Sequence, residues 1–160
     1  MKRSSSLRWT GRLAVFVLLA VPVAAQSTEV LSVVEPPKLT VKRGVTAALA
    51  LKVKLKPGYH VNSNTPSEDY LIPLRLTWDG RILRTQKVSY PTPKLEKYSF
   101  AEKPLSVFTG DFEIDTLFQV APNAPSGPGL VAGSLRYQAC NNRMCLPPRT
   151  VPVRMTVLVK

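Results

Sequence analysis

The chain has 160 residues, of which 44% are hydrophobic and 20% are charged, and its formal net charge is +12. This length is typical of one domain and is sufficient to bury a hydrophobic core without cross-links. Four of the basic charges lie in the first 12 residues and the others are scattered, whereas nucleic-acid-binding domains cluster basic and aromatic residues, so we expect no nucleic-acid partner.

The N-terminus has the three regions of a secretory signal peptide. A basic segment precedes an apolar run of nine residues, 13–21, and the small residues of Val23-Ala24-Ala25 follow at the cleavage position. A membrane-spanning helix needs about 20 apolar residues, so this run is too short to span a bilayer. We predict a signal peptide over residues 1–25 and one domain over residues 26–160, periplasmic or secreted and without stable membrane insertion. An uncleaved anchor is the alternative interpretation.

The first strong strand pattern covers Thr46–Leu55. Leucine and valine alternate along it with lysine and alanine, and a period of two over this length indicates a half-buried strand. Pro57 and Gly58 end this strand, and residues 59–63 continue as a short extended segment.

A second strand and a hairpin are predicted in the middle of the chain. Residues 72–78 have the alternation of a strand, and Asp79-Gly80 is a strong hairpin signal. We therefore expect residues 81–90 to return as the antiparallel partner of this strand.

The segment that follows predicts a loop and then further strands. Residues 91–105 are rich in Pro, Lys and Glu and carry two aromatic residues, Tyr98 and Phe100. Residues 106–120 predict one or two strands with a bend at Gly110.

The C-terminal part completes an all-β pattern. A turn-rich segment over residues 121–129 separates predicted strands over residues 130–139 and 150–159. Pro152 lacks an N–H group, so the last strand is expected at a sheet edge or with its proline near the strand start. About eight short strands without a long amphipathic helix predict an immunoglobulin-like β-sandwich.

The only two cysteines, Cys140 and Cys145, have four residues between them and lie between two predicted strands. Cα atoms across an antiparallel pair lie about 4.5–5.5 Å apart, so the two thiols can form a disulfide across the mouth of a hairpin. We expect the bond to be accessible at the surface, and Arg143, Arg136 and Arg149 nearby favour a reactive thiolate. The alternative is a structural disulfide, which the spacing alone favours. A metal site is disfavoured because two Cys and one His fall short of the usual four ligands.

Two short motifs flank the cysteine loop, YQAC at 137–140 and CLPP at 145–148. Three supporting segments occur upstream: PGYHVNSN at 57–64, YP at 90–91 and VFTG at 107–110. Together they resemble the N-terminal periplasmic domain of the thiol:disulfide interchange protein DsbD and the related stand-alone disulfide bond corrector domains. The resemblance covers most of residues 30–159.

The resemblance implies an immunoglobulin-like fold in which Cys140 and Cys145 alternate between dithiol and disulfide. It implies transient partners, namely a membrane thiol reductase with its thioredoxin-like domain as the electron source and other thioredoxin-like oxidoreductases as acceptors. No cofactor is expected. From its place in the motif, Cys145 is expected to form the mixed disulfide with a partner.

The resemblance also implies a cap loop whose aromatic side chain covers the disulfide. Phe100 is the first candidate for that side chain and Tyr98 the second, and the alternative is an aromatic packed on the sandwich edge. His60 and Asn62 share one face of their strand, and the matching positions of the family lie beside the cysteines. His60 would then stabilise a thiolate or move a proton, unless it is only a half-buried polar residue. Tyr137 is a further supporting candidate.

Together these observations predict a periplasmic thiol–disulfide exchange protein that passes reducing equivalents between thioredoxin-like partners through one cysteine pair. The alternative is a non-catalytic secreted binding module whose hairpin disulfide is structural. A third and weaker hypothesis is a chaperone for exported metalloproteins, in which a soft metal such as Cu(I) is held by Cys140, Cys145, Met144 and His60.

Overall fold

A computed structural model describes residues 29–160, which form twelve β-strands and no helix. In chain order the strands are β1 (Leu31–Val33), β2 (Leu39–Val41), β3 (Thr46–Leu55), β4 (His60–Asn62), β5 (Arg75–Trp78), β6 (Leu83–Ser89), β7 (Lys94–Glu96), β8 (Leu105–Thr109), β9 (Phe112–Val120), β10 (Gly127–Tyr137), β11 (Ala139–Cys140) and β12 (Arg149–Val159). The predicted signal peptide lies outside the described residues. Within the described range, no helix is long and apolar enough to cross a membrane.

The strands form three sheets of four strands each. Their orders are β1-β3-β9-β6, β2-β12-β10-β5 and β11-β4-β8-β7. Every pairing is antiparallel except that of β2 with β12. The first two sheets enclose the core between them, which is the immunoglobulin-like sandwich that the strand pattern predicts.

The core follows from the alternation of the long strands. In β3 every second residue from Leu49 to Leu55 is buried, and the lysines between them are exposed, as predicted. In β12 the residues Val153, Met155 and Val157 alternate in the same way and pack against the opposite sheet. Because strand side chains alternate between faces, this period of two separates core from solvent.

The predicted hairpin at Asp79-Gly80 is wrong. β5 pairs with β10 in the second sheet, whereas β6 pairs with β9 in the first. The turn is a corner between sheets, in which the Asp79 carboxylate accepts a hydrogen bond from the Arg81 backbone N–H at 3.2 Å. Trp78 just before it contacts Phe118 of the first sheet edge-to-face, with 5.5 Å between the ring centroids. This contact packs the end of β5 across the core, and β5 and β6 lie in different sheets.

Other predicted features are confirmed or shifted by a few residues. Gly110 makes the expected bend with φ of 68°, a left-handed conformation that favours glycine. β2 pairs only with the last three residues of β12, so Pro152 lies where β12 has one neighbour in its sheet. The predicted loop over 91–105 contains β7, which was not expected. β5 begins at Arg75 rather than at 72, and β10 begins at Gly127 rather than at 130.

The third sheet has two different faces. Val61 lies opposite both Ala139 and Phe108, and all three belong to the main core. Directly opposite residues share a face, so Cys140 and its neighbour His60 point to the other side. That second face is covered by the segment that joins β7 to β8.

Candidate functional site

Cys140 and Cys145 are joined by a disulfide, as their spacing allows. Cys140 is fully buried with 0% exposure, whereas Cys145 is partly exposed. The expectation of an accessible bond therefore holds only for its Cys145 side.

The chain reaches this position by changing sheets. β10 ends at Tyr137 in the second sheet and β11 begins at Ala139 in the third, although the sequence pattern predicted one strand to residue 139. A tight turn follows, in which the Asn141 side-chain oxygen accepts hydrogen bonds from the N–H groups of Arg143 and Met144 at 2.8 and 3.0 Å. This turn brings the second cysteine back against the first.

Gln138, the residue between the two strands, connects the cysteine loop to its surroundings. Its side-chain oxygen accepts hydrogen bonds from Asn62 Nδ2 at 3.2 Å and from the Ile72 N–H at 3.3 Å. Its amide nitrogen donates to the Leu146 carbonyl at 3.3 Å, and the Leu146 N–H donates to the Ala139 carbonyl at 2.8 Å. The residue after Cys145 is thus held on both sides. Gln138 belongs to the YQAC motif, but nothing in the sequence indicated this role.

Replacing Gln138 by alanine is expected to lower the free energy of unfolding by about 1–3 kcal/mol, because buried polar groups lose their partners. Denaturant unfolding of the purified protein measures this. Gln86→Ala is the matched control, since the Gln86 side chain bonds only to Gln119 on the exposed surface. A surface change of that kind is expected to stay within about 0.5 kcal/mol. Equal losses in the two variants would contradict the role assigned to Gln138.

His60 lies directly opposite Cys140 on one side and Thr109 on the other. Opposite residues of an antiparallel pair have Cβ atoms about 4.5–5.5 Å apart. The residue is 2% exposed, and its Nε2 atom has no hydrogen-bond partner. Burial lowers the pKa of His60 below 6.5, and the nearby Glu96 carboxylate only partly opposes this. The imidazole is therefore neutral at pH 7 and able to accept a proton.

Both aromatic candidates lie stacked with the His60 imidazole. The Tyr98 ring lies on the imidazole with 3.9 Å between centroids, and its hydroxyl donates to Glu96 Oε2 at 2.6 Å. The Phe100 ring is 40% exposed, and its centroid lies 5.6 Å from that of Tyr98 and 6.4 Å from that of His60. Tyr98, the second candidate in the sequence, is thus the buried ring directly on His60, and Phe100 lies beside it and is more exposed. Burial and the hydrogen bond to Glu96 raise the pKa of Tyr98, so it remains a donor.

The segment that carries these rings, residues 97–104, contacts the cysteine loop. Ser99 Oγ donates to the Asn142 carbonyl at 3.2 Å. Lys97 Nζ donates to the carbonyls of Ala101 and Glu102 and so holds the turn of the segment closed.

Tyr137 does not join the stack on His60. It is 2% exposed in the main core, where burial raises its pKa and Arg149 opposes the shift. Among residues 29–160, no three His, Cys, Asp or Glu side chains are grouped to hold a metal ion, and Met144 is 58% exposed.

Residues 27–156 match the family described as thiol:disulfide interchange protein DsbD, N-terminal. The chain belongs to this family. The membership, together with the disulfide between Cys140 and Cys145, supports thiol–disulfide exchange at the level of the family. No curated protein matches the sequence.

Two solved structures are similar to this chain at low sequence identity. The N-terminal periplasmic domain of ScsB from Proteus mirabilis has a TM-score of 0.53 and 12% identity, and the match covers 71% of this chain and 42% of that one. The DsbD N-terminal domain of Neisseria meningitidis, in the reduced form, has a TM-score of 0.45 and 16% identity, and the match covers 68% of this chain and 76% of that one. This chain therefore spans less than half of the ScsB structure, and at such identities the likeness concerns the fold alone.

Proposed function

We propose that the protein is a periplasmic thiol–disulfide exchange protein that passes reducing equivalents between thioredoxin-like partners through Cys140 and Cys145. The observation that carries this proposal is the asymmetric disulfide, partly exposed at Cys145 and fully buried at Cys140 beside a neutral His60. A disulfide that only stiffens a loop does not need a buried imidazole with a free Nε2 on the residue directly opposite its buried cysteine.

The exposed sulfur is the point of attack. A partner thiolate reaches Cys145 Sγ, since Cys140 is closed to solvent. A bond forms between the partner sulfur and Cys145, and the bond between Cys145 and Cys140 breaks. The electron pair of the broken bond leaves on Cys140.

His60 delivers a proton to the Cys140 sulfur in one direction of the exchange and accepts it in the other. A thiolate in apolar surroundings is disfavoured, so the leaving Cys140 sulfur takes up a proton, which His60 relays from solvent to replace the one that the partner thiol lost on becoming a thiolate. In the reverse step, neutral His60 accepts the proton of the Cys140 thiol, which then attacks Cys145 and releases the partner.

Exchange is completed by the second thiol of the partner. As a thiolate, it attacks the partner sulfur of the mixed disulfide and releases the Cys145 thiolate, which takes up the proton that the partner's second thiol gave to solvent. The partner dithiol has become a disulfide, and two electrons and two protons have moved to this protein. A membrane thiol reductase or its thioredoxin-like domain supplies the electrons, and the reverse sequence reduces the next oxidoreductase. No cofactor takes part.

Segment 97–104 serves as the cap. Tyr98 covers His60, and the more exposed Phe100 lies beside it, where a partner makes first contact. A loop that only the right partner displaces protects the disulfide from other thiols. The hydrogen bond from Ser99 to Asn142 is the contact with the cysteine loop that must break.

The compartment follows from the predicted signal peptide over residues 1–25, and the domain proposed for exchange is residues 26–160. The ScsB domain with the same fold is itself described as periplasmic. An oxidising compartment both permits the disulfide and requires its reduction by partners.

The reduction potential of the cysteine pair tests the proposal against a structural disulfide in a binding module. We expect a value of roughly −120 to −270 mV, the range of exchange proteins. Equilibration in thiol buffers, followed by alkylation of free thiols and mass spectrometry, measures it. A value below about −300 mV would identify a structural bond and reject the proposal.

A further inference from the structure

A groove lies beside the cysteine loop, on the opposite side from His60. It has a volume of about 310 Å³. Its lining residues are Val30, Lys56, Tyr59, Tyr137, Ala139, Leu146, Pro147 and Arg149. The cap segment contributes none of them, so the groove is separate from the covered face that carries His60.

The apolar walls of the groove are held in place by backbone hydrogen bonds. Its floor is formed by Val30, Tyr137 and Ala139, all buried. The Lys56 N–H donates to the Val30 carbonyl at 2.9 Å, and the Leu146 N–H donates to the Ala139 carbonyl at 2.8 Å. Both rims are therefore attached to the floor, and the groove exists before any partner arrives.

The polar rim is basic. Lys56 and Arg149 line it, and neither is within 4.0 Å of a carboxylate among the described residues. Arg149 lies directly opposite Tyr137 in the pairing of β10 with β12, and its charge acts on the Tyr137 phenol. Glu29 is the one acidic group that acts on this phenol, so the cations outnumber it.

We propose that this groove binds an acidic segment of the exchange partner, with one aromatic or leucine side chain inserted between flanking carboxylates. The groove accommodates one such side chain, and the two cations complement charges on either side of it. Apolar anchors in preformed pockets with a charged rim are the usual basis of recognition. This inference rests on the proposed exchange function, because the occupant is a part of the exchange partner.

The position of the groove explains what binding there achieves. Leu146 and Pro147 form one wall and follow Cys145 directly in the chain. A partner segment bound in the groove therefore contacts the two residues next to Cys145 and holds the rest of the partner near its partly exposed sulfur. Binding therefore raises the local concentration of the attacking thiolate at Cys145.

Titration with two peptides tests the groove. The probes are acetyl-Glu-Phe-Glu-amide and acetyl-Lys-Phe-Lys-amide, added to the oxidised protein and followed by backbone amide shifts in NMR spectra. We expect the acidic peptide to shift the amides of Tyr59, Tyr137, Ala139 and Leu146, and Arg149→Glu to weaken its binding about tenfold. The matched control is Lys42→Glu, at the opposite end of β3 and about 30 Å away, which is expected to change nothing.

Three results would overturn the inference: equal binding of the basic peptide, no binding of the acidic peptide, or equal loss in the Lys42→Glu variant. A dimer that depends on Arg149 would also overturn it, since a second copy would then occupy the groove. The titration involves no thiol chemistry, so it fails or succeeds independently of the reduction potential. A slower reduction of Arg149→Glu by a thioredoxin, with an unchanged rate for dithiothreitol, would add support.

Discussion

Replacing Cys145 by serine is expected to reduce exchange with a thioredoxin by at least about a thousandfold, because the proposed point of attack is lost. Replacing Cys140 by serine is expected to give the opposite kind of defect. The Cys145 thiol still forms a mixed disulfide, but no buried thiol remains to break it, so the covalent complex accumulates. The difference follows from burial, since only Cys145 is exposed to a partner. The rate of exchange with an intact thioredoxin measures the first result. Non-reducing electrophoresis with a single-cysteine thioredoxin, activated as its mixed disulfide with thionitrobenzoate, shows the second.

The stability of the two serine variants shows whether a lost activity reflects a lost fold. A disulfide that closes so short a loop stabilises by only about 2 kcal/mol, so both serine variants are expected to fold. Thermal unfolding of each checks this. If Cys140→Ser fails to form a mixed disulfide while Cys145→Ser forms one, the order of attack proposed above is wrong. If neither forms one and both remain folded, the pair is structural.

The sandwich could be predicted where local pattern and burial coincide. β3 has the predicted bounds because its alternation, the proline after it and its buried face all agree. The bend at Gly110 could be predicted for the same reason, since a left-handed φ leaves few alternatives to glycine. The family was evident from the motifs around the two cysteines.

Sheet membership could not be predicted from local signals. Asp79-Gly80 is a turn in any context, but whether the chain returns in the same sheet depends on Trp78 packing across the core on Phe118. The break at Gln138 is equally invisible in the sequence, because the residues on both sides of it are buried and have strand character. Both features are decided by tertiary contacts.

The sequence indicated which residues belong to the candidate site but not how they contact one another. One motif contains His60, and the resemblance indicated two candidate cap aromatics, yet their placement depends on contacts between residues far apart in the chain. Tyr98 is the buried ring on His60, with a hydrogen-bond partner for its hydroxyl in Glu96, whereas Phe100 has no polar group and is more exposed. The Gln138 network likewise joins three separate segments.

Replacing His60 is expected to have the second large effect, a slower rate of the step in which Cys140 releases the partner. When the reduced protein reacts with Ellman's reagent, Cys145 releases a first thionitrobenzoate, and attack by Cys140 on the mixed disulfide releases the second. We expect His60→Phe to slow the second release about 100-fold at pH 7, because the buried thiol loses its proton acceptor. The first release is expected to change little. Stopped-flow absorbance resolves the two phases.

The phenylalanine variant separates chemistry from packing, because it keeps a ring for Tyr98 to stack on while removing both nitrogens. A protonated imidazole cannot accept a proton, and burial lowers the pKa of His60 below 6.5. The wild-type advantage should therefore persist at pH 6.5 and above, and disappear as the pH falls through the lowered pKa. Since His60 is the only histidine, no other imidazole can produce this dependence. If His60→Phe matches the wild type at pH 7 and only His60→Ala is slow, the residue supports the cap by packing and carries no proton.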